Sequence, residues 1–384
     1  MKRVVIIGSG LSGAVVARQL ANSGWYVEIY EKRNHIGGNM YDYVDKYGIL
    51  VHKYGPHTFH SNSKKLVEYV KSFCEWDDYQ LLCGAVIDGL CTPTPFNFKT
   101  IDTFYSKDDA NKLKEQFKVE FGTRETITVV EALQAKSDLI RAYAEFLFRK
   151  DYGPYTAKQW GVEPSEIDSS ILKRVPLRLS YKEGYFDDKY QIMPRHSYSD
   201  FFEKLLNHPN IKVNLQVNAL TYLTVDNVHS SLKWKGEEVS CPIVYTGEID
   251  ALFEYSLGHL PYRSLHFEWK HKSINDFQEY AVVAYPQAKG YTRIVEFKKM
   301  PLQKVDGTSY EIEFPLEYKP NSGLEPYYPV LTDASQRLYS KYAKKVEKIK
   351  HLYCCGRLAE FKYYNMDQAL AQALDLSQHI LSKY

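Results

Sequence analysis

The stretch RVVIIGSGLSG, residues 3–13, is a β-branched run that ends in three glycines, Gly8, Gly10 and Gly13. Apolar residues then recur at helical spacing through Val15, Val16 and Leu20, until Gly24 stops the pattern. WYVEIYE, residues 25–31, reads as a second strand ending on Glu31, eighteen residues past Gly13. A glycine turn between strand and helix lets backbone N–H groups and the helix N-terminus approach a pyrophosphate. An acid at the end of the second strand can accept ribose hydroxyls. A glycine-rich surface turn would account for the glycines but leave Glu31 unexplained. The expected class is therefore α/β, with a Rossmann-like dinucleotide-binding domain opening the chain.

The remaining composition fits a folded protein. The 384 residues allow two or three domains, and 44% hydrophobic with 15% aromatic residues can fill sizeable cores. Basic residues number 49 against 47 acidic, so no overall field favours nucleic acid or an anionic membrane, and any anionic ligand needs a local cluster. MKRVVIIGSG has only four apolar residues before its glycine, too few for a signal sequence, and no run reaches the ~18 apolar residues of a membrane span. A cytoplasmic protein without stable membrane insertion is expected. Cys74, Cys83, Cys91, Cys241, Cys354 and Cys355 have no CxxC spacing and read as reduced core residues.

EKRNHIGGNM, which begins at Glu31, resembles the extended motif of FAD proteins related to amine oxidases: a glycine pair, Gly37 and Gly38, after basic Lys32 and Arg33. Near the other end, LYCCGRLAEFKYYNMDQALAQALDL gives a short strand, Gly356 and Arg357, then a helix. Asn365 is placed as its N-cap with Gln368 three residues on, and Met366, Leu370, Ala373, Leu374 and Leu376 form its apolar face. In flavoproteins of this kind such a glycine permits close approach to the cofactor, and such a helix start faces the flavin. Two cofactor motifs at opposite ends make the middle a set of insertions into one FAD domain. The expected division is 1–80, 196–262 and 331–384 for the FAD-binding domain, and 81–160 for a helical substrate domain. Residues 161–195 are expected to hold a mobile loop and strands, and 263–330 an antiparallel sheet. A single dinucleotide fingerprint leaves no dedicated NAD(P)H domain.

HKYGPHTFH (52–60), YTAKQWG (155–161), SILKRVPLR (170–178), YTGEID (245–250), YTRIVEF (291–297) and PYYP (326–329) are scattered along the chain yet appear in the order of one family. Through them the chain resembles the UDP-galactopyranose mutase family, the flavoenzymes that interconvert pyranose and furanose forms of a sugar nucleotide. The resemblance implies FAD, required in its reduced form, and covalent catalysis through flavin N5 with no net redox change. It places Arg174 and Arg293 on the substrate diphosphate, with hydroxyls of Tyr185, Tyr328 and Tyr363 in support. Tyr155, Thr156 and Trp160 would border the nucleotide, and Tyr155 would stack on the base. Among cofactor contacts it implies Lys32, Gly38, Asn39, Gly356, Arg357, Met366 and Asp367, beside Gly8, Gly10, Gly13 and Glu31. An external electron donor and a homodimer are the other expected partners.

Three histidines, His52, His57 and His60, fall within nine residues and raise the question of a metal site. The resemblance instead places His57 and His60 beside flavin and sugar, leaves His52 structural, and requires no metal. The chain also departs from the family pattern. Leu81 and Ala284 stand where the galactopyranose enzymes have asparagines, Asn365 where they have an acid, and Arg195 to Tyr198 read RHSY in place of a glycine-rich GGY. Fewer polar groups would suit a 6-deoxy sugar, so dTDP-fucopyranose mutase and UDP-N-acetylgalactosamine mutase are the alternative activities. A flavin oxidoreductase of amine oxidase type is the remote one, and the Arg174 and Arg293 segments speak against it because an amine needs no diphosphate clamp.

Overall fold

The computed structural model describes residues 1–160, 176–226, 231–320 and 322–384. The opening segment folds as its pattern dictates. Arg3–Ile7 is a strand, Leu11–Asn22 a helix and Tyr26–Tyr30 the second strand. Three further segments join them from far along the chain in one parallel sheet, in the spatial order Ile211–Asn214, Tyr26–Tyr30, Arg3–Ile7, Ile243–Tyr245, Leu352–Cys354. The strand order reverses between Arg3–Ile7 and Ile243–Tyr245, and the crevice beyond their carboxyl ends is where this topology binds ligands. Val4, Val5, Ile6, Ile243 and Val244 are wholly buried, as a parallel sheet covered on both faces requires.

The helix Met366–Lys383 packs along Leu11–Asn22, and its Leu370, Ala373 and Ile380 join the core with Ala14, Val15 and Val16. Gln368 Oε1 accepts from the Asn365 backbone N–H at 2.9 Å, so the expected cap is in place.

The second large sheet has seven strands, in the order Tyr328–Pro329, Tyr262–Lys272, Thr308–Glu317, Arg293–Glu296, Val282–Ala284, Cys83–Ile87, Leu90–Thr94. Here the structure corrects the sequence reading twice. Cys83–Ile87 and Leu90–Thr94, counted with the helical segment, belong to this sheet, and Val282–Ala284 pairs with Cys83–Ile87 in parallel, so the sheet is mixed. An alternating strand pattern carries no information on which distant strand will pair with it. The helices Phe98–Phe104, Lys107–Phe121, Val129–Leu133, Asp138–Leu147 and Gly153–Trp160 cover one end of this sheet, with Ala85, Ile87, Phe117 and Leu147 in their shared core.

Candidate active site

The cradle at the switch point is shaped by close backbone approach. Gly8 has φ +104°, and a Cβ there would collide with the Thr246 hydroxyl, which donates to the Ile7 carbonyl at 2.8 Å. Gly38, φ +58°, would bring a Cβ to 2.8 Å from the Gly10 Cα. Gly13 lies against the Gly8 carbonyl and Gly356 against the Ser12 side chain, so the four segments converge with only the small Thr246 and Ser12 side chains at the contacts. Gly10 is the N-cap of the first helix, whose leading N–H groups face the crevice and offer anion-binding dipoles. This cradle fits a dinucleotide pyrophosphate.

Glu31 is 5% exposed and more engaged than its sequence position implied. Its Oε2 accepts from the Ser9 N–H at 2.9 Å and the Ser9 hydroxyl at 2.8 Å, and Oε1 accepts from the Arg33 N–H at 2.9 Å. Acceptor capacity on Oε1 remains for a ribose hydroxyl. Arg33 donates to Asn39 at 2.9 Å and to Glu325 at 2.8 Å, and Lys32 also pairs with Glu325 at 3.4 Å. At the far helix start, Asp367 accepts from the Ser61 hydroxyl at 2.8 Å, which ties the helix to the Phe59–Ser61 strand next to His60. Met366 is partly buried against the Rossmann core, and Asn365 is exposed.

The second cluster lines the face of the mixed sheet. Cross-strand registers put Ala284, Arg293, Glu313 and Phe267 side by side on one face. Arg293 donates from Nε to Glu313 Oε2 at 2.7 Å, the one protein hydrogen bond its side chain makes among the described residues. Burial disfavours the Arg293 charge, but the Glu313 carboxylate more than offsets it and holds the guanidinium charged. Tyr155, Tyr185 and Tyr328 all sense the Arg293 charge, and burial pushes the hydroxyl of Tyr185 up to about 12 and those of the other two higher still. They are hydrogen-bond donors at any working pH. Tyr363 is 43% exposed, its ring 6.0 Å from that of Tyr328. Arg357 lies over both rings and donates to the Tyr327 carbonyl at 3.3 Å and to the Tyr364 carbonyl. Arg357 thereby links the glycine turn at Gly356 to this aromatic wall.

The histidines resolve into three separate roles. His52 is fully buried, and its Nδ1 accepts from the His57 backbone N–H at 3.0 Å. His57 pairs Nδ1 with the Gly55 carbonyl at 2.8 Å, a bond that needs the proton on Nδ1 and leaves Nε2 an acceptor. Burial, with help from Arg357 and Arg293, pushes His57 down to about 4, so it is neutral at pH 7. His60 pairs with Asp188 at 2.8 Å and stacks on Phe186 with ring centroids 3.7 Å apart. Each ring thus answers to its own protein partner.

Thr156 is buried beside Tyr155 in the Gly153–Trp160 helix. Leu81 is buried in a core cluster with Val51, Cys83 and Val295, partly lined by Tyr185, and its carbonyl accepts from the Tyr185 N–H at 2.7 Å. Arg174 and the Trp160 side chain lie outside the described residues. Sequence reasoning missed Glu311, Glu313, Asp188 and Thr246. The alternation in YEIEF, residues 310–314, reads as a half-buried strand with its glutamates in solvent, yet Glu311 and Glu313 are 0% and 1% exposed. Only the apposition of other segments reveals that the glutamate face is the buried one, while Ile312 and Phe314 on the other face are half-buried.

Fold and cluster together define a class: a Rossmann-type dinucleotide-binding fold whose insertions set an arginine and tyrosine cluster beside the cradle, joined to it through Arg357. A family model described as UDP-galactopyranose mutase matches residues 150–363, and one described as NAD(P)-binding Rossmann-like domain matches residues 6–73. The chain is 36% identical to the UDP-galactopyranose mutase of Mycoplasma genitalium, over 99% of this chain and 95% of that one. It is 33% identical to the dTDP-fucopyranose mutase of Escherichia coli, over 98% of each. A crystal structure of reduced UDP-galactopyranose mutase superposes with a TM-score of 0.73 at 16% identity, covering 100% of this chain and 96% of that one. The chain belongs to the UDP-galactopyranose mutase family.

Proposed function

We propose that the protein is a cytoplasmic FAD enzyme that interconverts the pyranose and furanose forms of UDP-galactose. The observation that carries this reading is Arg293, held at Nε by Glu313 with no protein partner at its terminal nitrogens among the described residues, in a cluster with Tyr155, Tyr185 and Tyr328 beside a dinucleotide cradle. A planar guanidinium fork fixed from behind suits a diphosphate, which it can meet bidentately.

The chemistry asked of a bound, reduced FAD is nucleophilic, at its N5. The protein's own groups do the rest. Arg293 binds the diphosphate and stabilises its charge as it departs from the sugar, with Arg174 as the second cation by family resemblance. Tyr185, Tyr328 and Tyr363 donate hydrogen bonds and keep the diphosphate close enough to recombine, while Tyr155 borders the nucleotide and stacks on its base. His57, neutral and tied through Nδ1, offers Nε2 to a hydroxyl as that group shifts its proton. An external donor that reduces the flavin and a homodimeric assembly complete the proposal.

UDP-galactose is the substrate favoured by the full-length relatives that bear its mutase's name. Turnover of UDP-galactose by dithionite-reduced holoprotein, followed by chromatography of pyranose and furanose products, tests the reading. Activity only with dTDP-fucose would move the protein to the 6-deoxy activity, and equal activity with oxidised flavin would remove N5 chemistry.

A further inference from the structure

The same sheet holds three buried glutamates, and they are treated differently. Glu296 takes hydrogen bonds from the Phe277 N–H (2.9 Å), the Gln278 N–H (3.1 Å) and the Thr308 hydroxyl (2.8 Å), and pairs with Lys299 at 3.2 Å. Its carboxylate is saturated and structural. Glu311 and Glu313 lie two residues apart on one strand face, adjacent to Arg293, and neither Glu311 oxygen nor Glu313 Oε1 has a donor among the described residues. Two carboxyl groups in contact inside a protein cannot both stay ionised without a donor between them, because each leaves water and faces its like charge.

We propose that Glu311 carries a proton in the folded protein and, by donating it to Glu313, keeps the Arg293 charge available to an anionic diphosphate. Glu311 is then a positioning residue, and the inference rests on the reading of Arg293 as a diphosphate ligand. With Glu311 protonated, its O–H satisfies Glu313 Oε1 while Arg293 Nε–H satisfies Oε2, and the guanidinium fork is presented with one countercharge behind it. With Glu311 ionised, two carboxylates face one guanidinium, and the local charge turns against a dianion. Burial raises Glu311 well above the ordinary carboxylate range, Glu313 adds to the effect and Arg293 opposes it, consistent with a retained proton.

The groups around the pair leave it alone in the neutral range. Phe267 and Trp269, from the neighbouring strand, carry no titratable group. Tyr43, from the Asp42–Val44 strand, and Tyr155 and Tyr328 are all raised above 10, and His57 is pushed down to about 4. Among the described residues facing the pair, none of Tyr43, Tyr155, Tyr328 and His57 changes charge between about pH 5 and about pH 9.5.

The test uses oxidised holoprotein, which binds but does not turn over, and UDP-galactose, whose diester diphosphate does not titrate in this range. Infrared spectroscopy of wild type at neutral pH should reveal a buried protonated-carboxyl C=O band that Glu311→Gln removes. The dissociation constant of wild type should rise about tenfold per pH unit once that band is lost, whereas Glu311→Gln, whose amide N–H donates at every pH, should hold a level affinity. Absence of the band in wild type, or the same pH profile in both proteins, would overturn the proposal. Should Glu311→Gln fail to fold, Glu313→Gln must shift the band by changing its acceptor; an unmoved band would likewise overturn it. A band that behaves as expected in a protein that binds no nucleotide sugar at any pH would overturn the diphosphate link and the proposed function while leaving the proton on Glu311.

Discussion

The cofactor cradle and the wall around Arg293 solve opposite problems. In the cradle the polar side chains are tied down by the protein: Glu31 takes three hydrogen bonds with capacity left on Oε1, and Thr246 bonds back to the strand end. Its specificity lies in backbone shape, in where a side chain is missing. The wall leaves groups unsatisfied: among the described residues the Arg293 side chain has a single hydrogen bond, and three carboxyl oxygens of Glu311 and Glu313 have no donor. A site that holds one resident group for the life of the protein can be closed by its own hydrogen bonds. A site that binds and releases a charged substrate keeps polar groups in reserve, and buried groups in reserve cost stability.

That contrast predicts that the cradle breaks by volume and the wall by charge. Gly38→Ala forces a Cβ onto the Gly10 backbone at a positive φ, and neither side is a flexible side chain that can yield. We expect a cost of roughly 3 kcal/mol or more and loss of flavin, read from flavin absorbance per chain and the melting temperature. A yellow protein with wild-type stability would mean that the two loops do not meet as described.

Arg293→Ala should do the reverse, retaining flavin while kcat/KM falls by ~10²- to 10³-fold, about 3–4 kcal/mol. Arg293→Lys should recover only part of this, since an ammonium lacks the fork. Flavin loss in Arg293→Ala would erase the distinction between the two regions.

Acid stability probes the turn between them. Burial pushes His52 down to about 3 and His57 to about 4, against an ordinary value of 6.5. Below that ordinary value the unfolded chain binds protons that the folded one refuses. Stability is therefore full above about pH 6.5 and falls as the pH drops toward 4 and then 3, by up to about 1.4 kcal/mol per pH unit for each histidine. Urea unfolding at about pH 7.5 and about pH 5 measures the loss, and His52→Asn should reduce its slope.

The smallest effect concerns the sugar. Ala284 is paired with Arg293 across the strands and shares its face. Ala284→Asn should shift the ratio of kcat/KM for UDP-galactose over dTDP-fucose by severalfold, about 1 kcal/mol, toward galactose. An unchanged ratio would place the residue outside the sugar's reach. Leu81, the other departure from the family pattern, packs in the core beside Tyr185 and is a poorer candidate for direct contact.

The sequence by itself determined the cradle, because its signals are local. A strand, a glycine turn, a helix and an acid lie within 31 residues, and the capped helix after Asn365 announces itself through residues three and four apart. Resemblance to a family added Arg293, the tyrosines and His57, which the structure sets near one another. Only the tertiary structure decided what surrounds the glutamates of YEIEF and which strands pair. Alternation specifies that two faces differ, and says nothing of whether the second face meets water or another layer of protein. Glu296, Glu311 and Glu313 read alike in the chain. They differ because Phe277, Gln278, Thr308 and Lys299 surround the first with donors, while the other two are given Arg293 and each other. The state of a buried carboxyl is set by the groups within a few ångströms of it, and the chain brings those groups there from segments that no local pattern connects.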